Sequence, residues 1–238
     1  TVSMPGFGTG SESRSHALAL AKHLGADFRE IDITAATSQH FRDINHSESI
    51  HNVVFENAQA RERTQILMDI ANAVNGIVIG TGDMSEIALG WNTYNGDHMS
   101  MYGINSGIPK TVIREMVSWL ASQQHDDQLH LLLQSIVEQP ITPELLPLGS
   151  TGEVVQKTEE VVGPYALHDF VLFTMLRHHF SPRKIHALAT QAFHGEMTGE
   201  QIAYYMRIFY SRFFAQQYKR SAMPDGPKVM PVALSPRG

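Results

Sequence analysis

Residues 77–86 read Ile77-Val78-Ile79-Gly80-Thr81-Gly82-Asp83-Met84-Ser85-Glu86, a short apolar run that gives way at once to glycines, hydroxyls and carboxylates. Three β-branched residues in a row are too few for a buried helix and suit a buried strand of a parallel sheet. Beyond the run, Gly80 and Gly82 let a ligand approach the backbone and Thr81 offers a hydrogen bond. Glu86 can hold a hard cation that bridges phosphates. The same residues also fit an N-capped helix with Ser85 or Asp83 as the cap, and on this stretch alone the two readings are even.

Working back toward Thr1, residues 57–74 place Ala60, Thr64, Leu67, Met68 and Ala71 on one helical face, closed by Asn75-Gly76. A polar, helix-compatible stretch surrounds Phe41 and Ile44, and Phe28, Ile31 and Ile33 form a short strand. Before it, Ser13 can cap a helix carrying Ala17, Leu20, Ala21 and Leu24, ended by Gly25. Val2 and Met4 alternate as the end of a strand stopped by Pro5-Gly6-Phe7-Gly8-Thr9-Gly10. Strand, helix, strand, helix, strand predicts an α/β fold: a Rossmann-like parallel sheet with helices on both faces. Ligands in such sheets bind beyond the strand carboxyl ends, which puts the Gly6–Gly10 and Gly80–Gly82 loops on one rim.

From Pro109 onward the pattern predicts a helical C-terminal half, with helices near 110–121, 126–138, from Pro164 to about 180, from Pro182, and over 199–219. The polar loop at 149–160 is a candidate flap. Zero cysteine excludes disulfides, thiolate metal sites and a cysteine nucleophile, and no stretch approaches the about eighteen continuous apolar residues of a membrane helix. A soluble, cytoplasmic protein is expected, without membrane partners. Residues 201–238 carry six basic groups against Asp225 alone, on a chain whose net charge is −6. A basic end on an acidic body suits a local phosphate site better than nucleic acid, and a solvated basic face explains it equally well.

Several other patterns have ordinary explanations. Gly6, Gly8 and Gly10 miss the dinucleotide fingerprint because its third glycine falls on Ser11. The thirteen histidines have no metal-binding spacing. Arg61 and Arg63, near Asn57 at a helix start, can grip phosphate or form a surface salt-bridge stripe with Glu62. The loop Trp91, Thr93, Tyr94, Gly96, Asp97 has too many large rings for a mere connector. Tyr204, Tyr205, Phe209, Phe213 and Phe214 suit a core or an oligomer interface better than a base-stacking platform.

Taken in order, Glu56-Asn-x-Gln-Ala-Arg, Gly80-Thr-Gly-Asp-x-Ser-Glu, Gly90-Trp-x-Thr-Tyr-x-Gly-Asp97, Pro109-Lys-Thr, and the tail Tyr218-Lys-Arg-Ser, Asp225-Gly-Pro-Lys and Ala233-Leu-Ser-Pro-Arg-Gly resemble the synthetase domain of glutamine-dependent NAD synthetase. The resemblance runs over residues 1–238 as one domain. It implies an ATP pyrophosphatase that amidates deamido-NAD to NAD through a nicotinate adenylate, with magnesium as cofactor and ammonia from a glutaminase domain. The parent protein is then a ligase and, by family habit, a homo-oligomer.

Residue by residue, the resemblance implies catalytic roles for Lys110 and Asp97. It implies ATP contacts from Thr81, Lys110, Thr142 and Arg61. Magnesium falls to Glu86 and Thr142, the latter also near the ATP phosphates. A deamido-NAD pocket is implied at Asn57, Arg63, Glu86, Trp91, Asn92, Thr93, Tyr94, Asp97, Lys219 and Lys228, while the division of Arg61 and Arg63 between the two nucleotides stays open. The family's Ser-Gly-Gly-x-Asp-Ser phosphate loop and the amidase domain are not among these 238 residues. The chain alone is therefore expected to be inactive and to be a fragment cut before its first strand. A non-catalytic nucleotide-binding or assembly fragment and a sibling ATP pyrophosphatase amidotransferase are the alternatives.

Overall fold

The computed structural model describes residues 1–142, 144–147 and 158–235. In chain order its elements are β1 (Val2–Ser3), α1 (Ser11–His23), β2 (Arg29–Glu30), α2 (Thr34–Asp43), α3 (Val53–Ala73), α4 (Met84–Leu89), α5 (Lys110–Ser122), α6 (Asp127–Glu138), α7 (Thr158–Val162), α8 (Tyr165–His178), α9 (Pro182–Ala192), α10 (Gly199–Ala215) and α11 (Gln217–Ser221). They divide into two compact units, Thr1–Gly76 with Arg114–Thr158 and Ile77–Ile113 with Glu159–Gly238. The candidate flap at 149–160 falls outside the described residues except for 158–160, which open α7.

In the first unit β1 and β2 pair in parallel, Val2 opposite Arg29 and Ser3 opposite Glu30. The ladder runs past the named strands, with the N–H groups of Arg29, Ile31 and Ile33 donating to the carbonyls of Thr1, Ser3 and Pro5. α3 starts at Val53, four residues ahead of the expected Asn57. The cause is Asn52, whose side chain accepts from the N–H groups of Val54 and Phe55 and so satisfies the orphan donors of the first turn. Phe41 and Phe55 stack at 5.3 Å and, with Ala58, form a core that Phe7 and Leu146 cover. Fully buried Gln59 ties loops to it, donating to Leu145 O at 2.7 Å and accepting from Phe7 N–H at 3.2 Å.

The second unit is helical around a core of Leu167, Val171, Leu172, Ile185, Ala189, Ile202, Met206 and Phe209, contributed by α8, α9 and α10. The run Ile77-Val78-Ile79 is less covered than its composition predicts. It forms one parallel bridge, Ile79 with Tyr102, and among the described residues Ile77 and Ile79 stay 63% and 48% exposed. Pairing along Met101 and Tyr102 satisfies backbone groups and leaves the side chains uncovered. The predicted 199–219 helix breaks at Gln216 into α10 and α11. Farther on, the tail crosses the 103–107 loop backbone against backbone: Gly103 N–H donates to Asp225 O at 2.7 Å. A Cβ on Gly226 would lie 2.0 Å from Gly103 O. Among the described residues no helix is long and apolar enough to cross a membrane.

Candidate functional site

In the second unit, Asp83 caps α4. Its carboxylate accepts from Glu86 N–H at 2.9 Å, and Glu86 reaches back to Asp83 N–H. The capped-helix reading of residues 80–86 is thus realised, and the same two carboxylates hold Lys110. The Lys110 ammonium lies 2.6 Å from Asp83 and 2.9 Å from Glu86. Asp83 is only 2% exposed. Burial, reinforced by the Asp83 charge, lifts the Glu86 carboxyl to about 7. Burial works against the Lys110 ammonium, but the charges of Glu86 and Asp83 overcome it and hold the group above its ordinary value. The ammonium also sits over the Tyr165 ring, 5.3 Å from its centre, and among the described residues the buried Tyr165 hydroxyl has no hydrogen-bond partner.

α4 ends at Gly90 in the left-handed conformation, φ 58°. Three cations meet its last carbonyls, where the helix dipole favours positive charge. Arg212 donates to Leu89 O at 2.9 Å and Gly90 O at 3.3 Å, Lys219 to Gly90 O at 2.9 Å and Asn92 O at 2.5 Å, and Arg220 to Ala88 O at 3.3 Å. The Arg212 guanidinium also covers the Trp91 ring at 4.9 Å. Burial, with the Arg212 charge, pushes the Lys219 ammonium below its usual value.

The loop beyond Gly90 is ordered by its own polar groups. Asp97 accepts from Thr93 N–H at 2.7 Å, and desolvation by the surrounding protein raises its carboxyl above the ordinary value. Tyr94 stacks on His98, whose Nε2 lies 3.2 Å from Lys219 O. Among the described residues the buried amide oxygen of Asn92 has no hydrogen-bond partner. Glu86 with Lys110, and Trp91 to Asp97 with Lys219, are therefore two groups of expected site residues that the second unit brings together. Thr81 is exposed on the strand exit, and Lys228 is exposed on the tail.

Asn57, Arg61, Arg63 and Thr142 lie in the first unit. There Arg63 and Thr142 line one cavity of about 300 Å³ with Thr9, Ser13, Arg14 and Glu144. Arg63 donates to Met4 O at 3.0 Å at the end of the β1 ladder, so it faces inward, whereas Arg61 is exposed. Ser13 donates to Glu144, and Gln139 donates to Ser13 at 2.8 Å. Sequence reasoning missed Asp83 as a Lys110 partner, and it missed Arg212, Glu144 and Asp169. Only Asp169 left a usable signal, an acid set inside the apolar run of α8.

The NAD synthase family model matches residues 1–199. The chain belongs to the NAD synthase family. It is 43% identical over 259 aligned positions to the glutamine-dependent NAD(+) synthetase of Mycobacterium tuberculosis (strain H37Rv), covering 99% of this chain and 38% of that protein. The chain thus spans less than two fifths of that relative's length. Among solved structures, the glutamine-dependent NAD(+) synthetase of Cytophaga hutchinsonii superposes with a TM-score of 0.77 at 20% identity, over 100% of this chain and 37% of the other. The Acinetobacter baumannii enzyme, solved with adenosine diphosphate, gives 0.54 at 20% identity over 100% and 39%. These likenesses establish the family's α/β fold, here rich in helix with a small parallel sheet.

Proposed function

We propose that the protein carrying this chain converts deamido-NAD to NAD by ATP-dependent amidation. The observation that carries the reading is the Asp83–Glu86–Lys110 cluster at the start of α4, two carboxylates and one ammonium drawn together in a chain of this family. The names of the relatives and the adenosine diphosphate in the Acinetobacter baumannii structure support it.

A carboxylate is a poor electrophile, so amidation needs activation that the enzyme stabilises in its transition state. A nicotinate carboxylate oxygen bonds to the α-phosphorus of ATP, pyrophosphate leaves, and ammonia then displaces AMP from the acyl adenylate. Lys110 neutralises charge on the phosphate oxygens, the type of electrostatic stabilisation that dominates such transfers. Magnesium is commonly held by one or two carboxylates with substrate phosphates completing its shell, and Glu86 fits that donor type. Among the described residues no group of three or more His, Cys, Asp or Glu side chains is placed to hold a metal ion by itself. When bound, the ion supplies further charge neutralisation at the phosphates.

In this reading, within the second unit, Thr81 contacts ATP beside Lys110, and Trp91 to Asp97 with Lys219 shape the deamido-NAD pocket. The phosphate loop and the ammonia-producing glutaminase domain come from outside these 238 residues, in a cytoplasmic homo-oligomer. The test is deamido-NAD-dependent pyrophosphate release by the full-length protein with ATP, magnesium and ammonia. Glu86→Ala is expected to lower it by about a hundredfold or more, as loss of a group acting on the transition state does. Turnover equal to wild type would remove Glu86 from the site, and no turnover by wild type would remove the reaction.

A further inference from the structure

We infer that Asp169 is a positioning residue for the Lys110 ammonium, acting through Ser85 and Thr111 on the two helix starts that meet at the Asp83–Glu86–Lys110 cluster. Asp169 lies in the middle of α8 among Leu167, Phe170, Val171 and Leu172 and is only 9% exposed. A buried carboxylate at such a place costs free energy unless its oxygens are hydrogen-bonded. Every hydrogen bond recorded for this carboxylate goes to a helix start rather than to α8 itself. One oxygen accepts from the Ser85 hydroxyl on α4. The other accepts from Thr111 twice, from the N–H at 3.2 Å and from the hydroxyl at 2.6 Å.

The chain of bonds then reaches the lysine. Ser85 Oγ, which donates to Asp169, accepts from Lys110 N–H at 2.8 Å. α5 opens directly after Pro109, which has no side-chain acceptor to cap it, so the first N–H groups of that helix need outside partners. Ser85 satisfies Lys110 and Asp169 satisfies Thr111. Both ends of Lys110 are therefore fixed on α4: its backbone at Ser85 and its ammonium at Asp83 and Glu86. Asp169 holds the two starts in register. A small rotation of the first turn of α5 would carry the ammonium away, and misplacement of a catalytic group by about 1 Å costs on the order of a hundredfold in rate.

The functional weight of this inference rests on the proposed role of Lys110, so the test has a readout independent of the reaction. Asp169→Asn preserves shape but turns an NH2 group toward a donor at Ser85 or Thr111. In the full-length protein it is expected to lower kcat for deamido-NAD-dependent pyrophosphate release about tenfold, with KM for ATP little changed. Acetylation of Lys110 by acetic anhydride, read by mass spectrometry against the exposed Lys22 and Lys184, is expected to quicken about fivefold as its ion pairs loosen.

Lys110 acetylation at the wild-type rate in Asp169→Asn overturns the inference, whatever happens to kcat. Faster acetylation with kcat intact supports the positioning and sinks the reading of Lys110 as catalytic. Should Asp169→Asn fail to fold, Ser85→Ala removes one arm and Thr111→Val removes the hydroxyl bond of the other, and both keep the carboxylate. Unchanged Lys110 acetylation in both overturns the inference, and faster acetylation in either supports it.

Discussion

The two ends of the six-residue helix α4 solve opposite electrostatic problems with opposite excesses. At its start, Asp83 and Glu86 share the single ammonium of Lys110, and buried Asp169 stands behind them. At its end, Arg212, Lys219 and Arg220 donate to neutral backbone carbonyls. At the end, Arg212 and Arg220 spend their donors on the last carbonyls of α4, while Lys219 fixes Gly90 and the Trp91 loop that the proposed deamido-NAD pocket uses. In the proposed reading the start, with two carboxylates to one ammonium, exchanges partners with a cation and a phosphate. Charge alone would have nominated the arginines; the acceptors they bind assign them to structure.

The largest expected effect breaks the acidic end. Lys110→Met should lower pyrophosphate release by about a thousandfold, because it removes charge stabilisation from the transition state and leaves two carboxylates without their cation. Steady-state kinetics on the full-length protein check it. Next comes the basic end. Arg220→Met should cost about 2–3 kcal/mol of stability, since it strips buried donors from the carbonyls of Ala88 and Phe213, with kcat per folded molecule unchanged. Urea denaturation with active-site titration separates the two quantities. A loss of kcat at constant stability would place this end in the chemistry after all.

Gly90→Ala should cost about 1–2 kcal/mol, since its positive φ strains a non-glycine residue. The new Cβ would also stand 2.3 Å from the Gln216 side chain, so both α4 and the break between α10 and α11 must give. A further effect concerns pH. Burial, together with the Arg212 charge, depresses His168 to about 4 from an ordinary 6.5. Between those values the unfolded chain holds a proton that the folded one refuses. Stability therefore falls as pH drops from 6.5 through 4 and is unaffected above 6.5. His168→Gln should flatten that part of the denaturation-versus-pH curve, and Arg212→Met should raise the His168 value slightly in an NMR titration.

What sequence could reveal follows from how far each interaction reaches. The caps, the helical faces and the strand-to-helix alternation are local patterns, so α1, α2, α5, α6, α8 and α9 lie close to where periodicity puts them. The early start of α3 was hidden because Val53, Val54 and Phe55 look like strand residues until Asn52 is recognised as the cap. Exposure of Ile77 and Ile79 was illegible for another reason: burial depends on what lies across from a strand, and the run itself does not encode that. In the candidate site, Glu86 and Lys110 could be named from motifs. The Ser85–Asp169 bond that stands behind them joins positions 84 residues apart and leaves no mark in spacing. Lys219 could be named as a cation near the Trp91 loop, but not as the donor that holds Gly90 and Asn92.

The crossing of the tail over the 103–107 loop orders events in time. Gly103 and Asp225 meet backbone to backbone, the Gly103 N–H donating to the Asp225 carbonyl. During synthesis the loop leaves the ribosome long before its partner, so the Gly103 N–H waits in water until the tail arrives. Closing so long a span wins few local contacts on the way, and folding steps of that kind are slow. The docking of residues 223–227 should then be a late kinetic phase of the second unit, and the last part of it to become protected from hydrogen exchange.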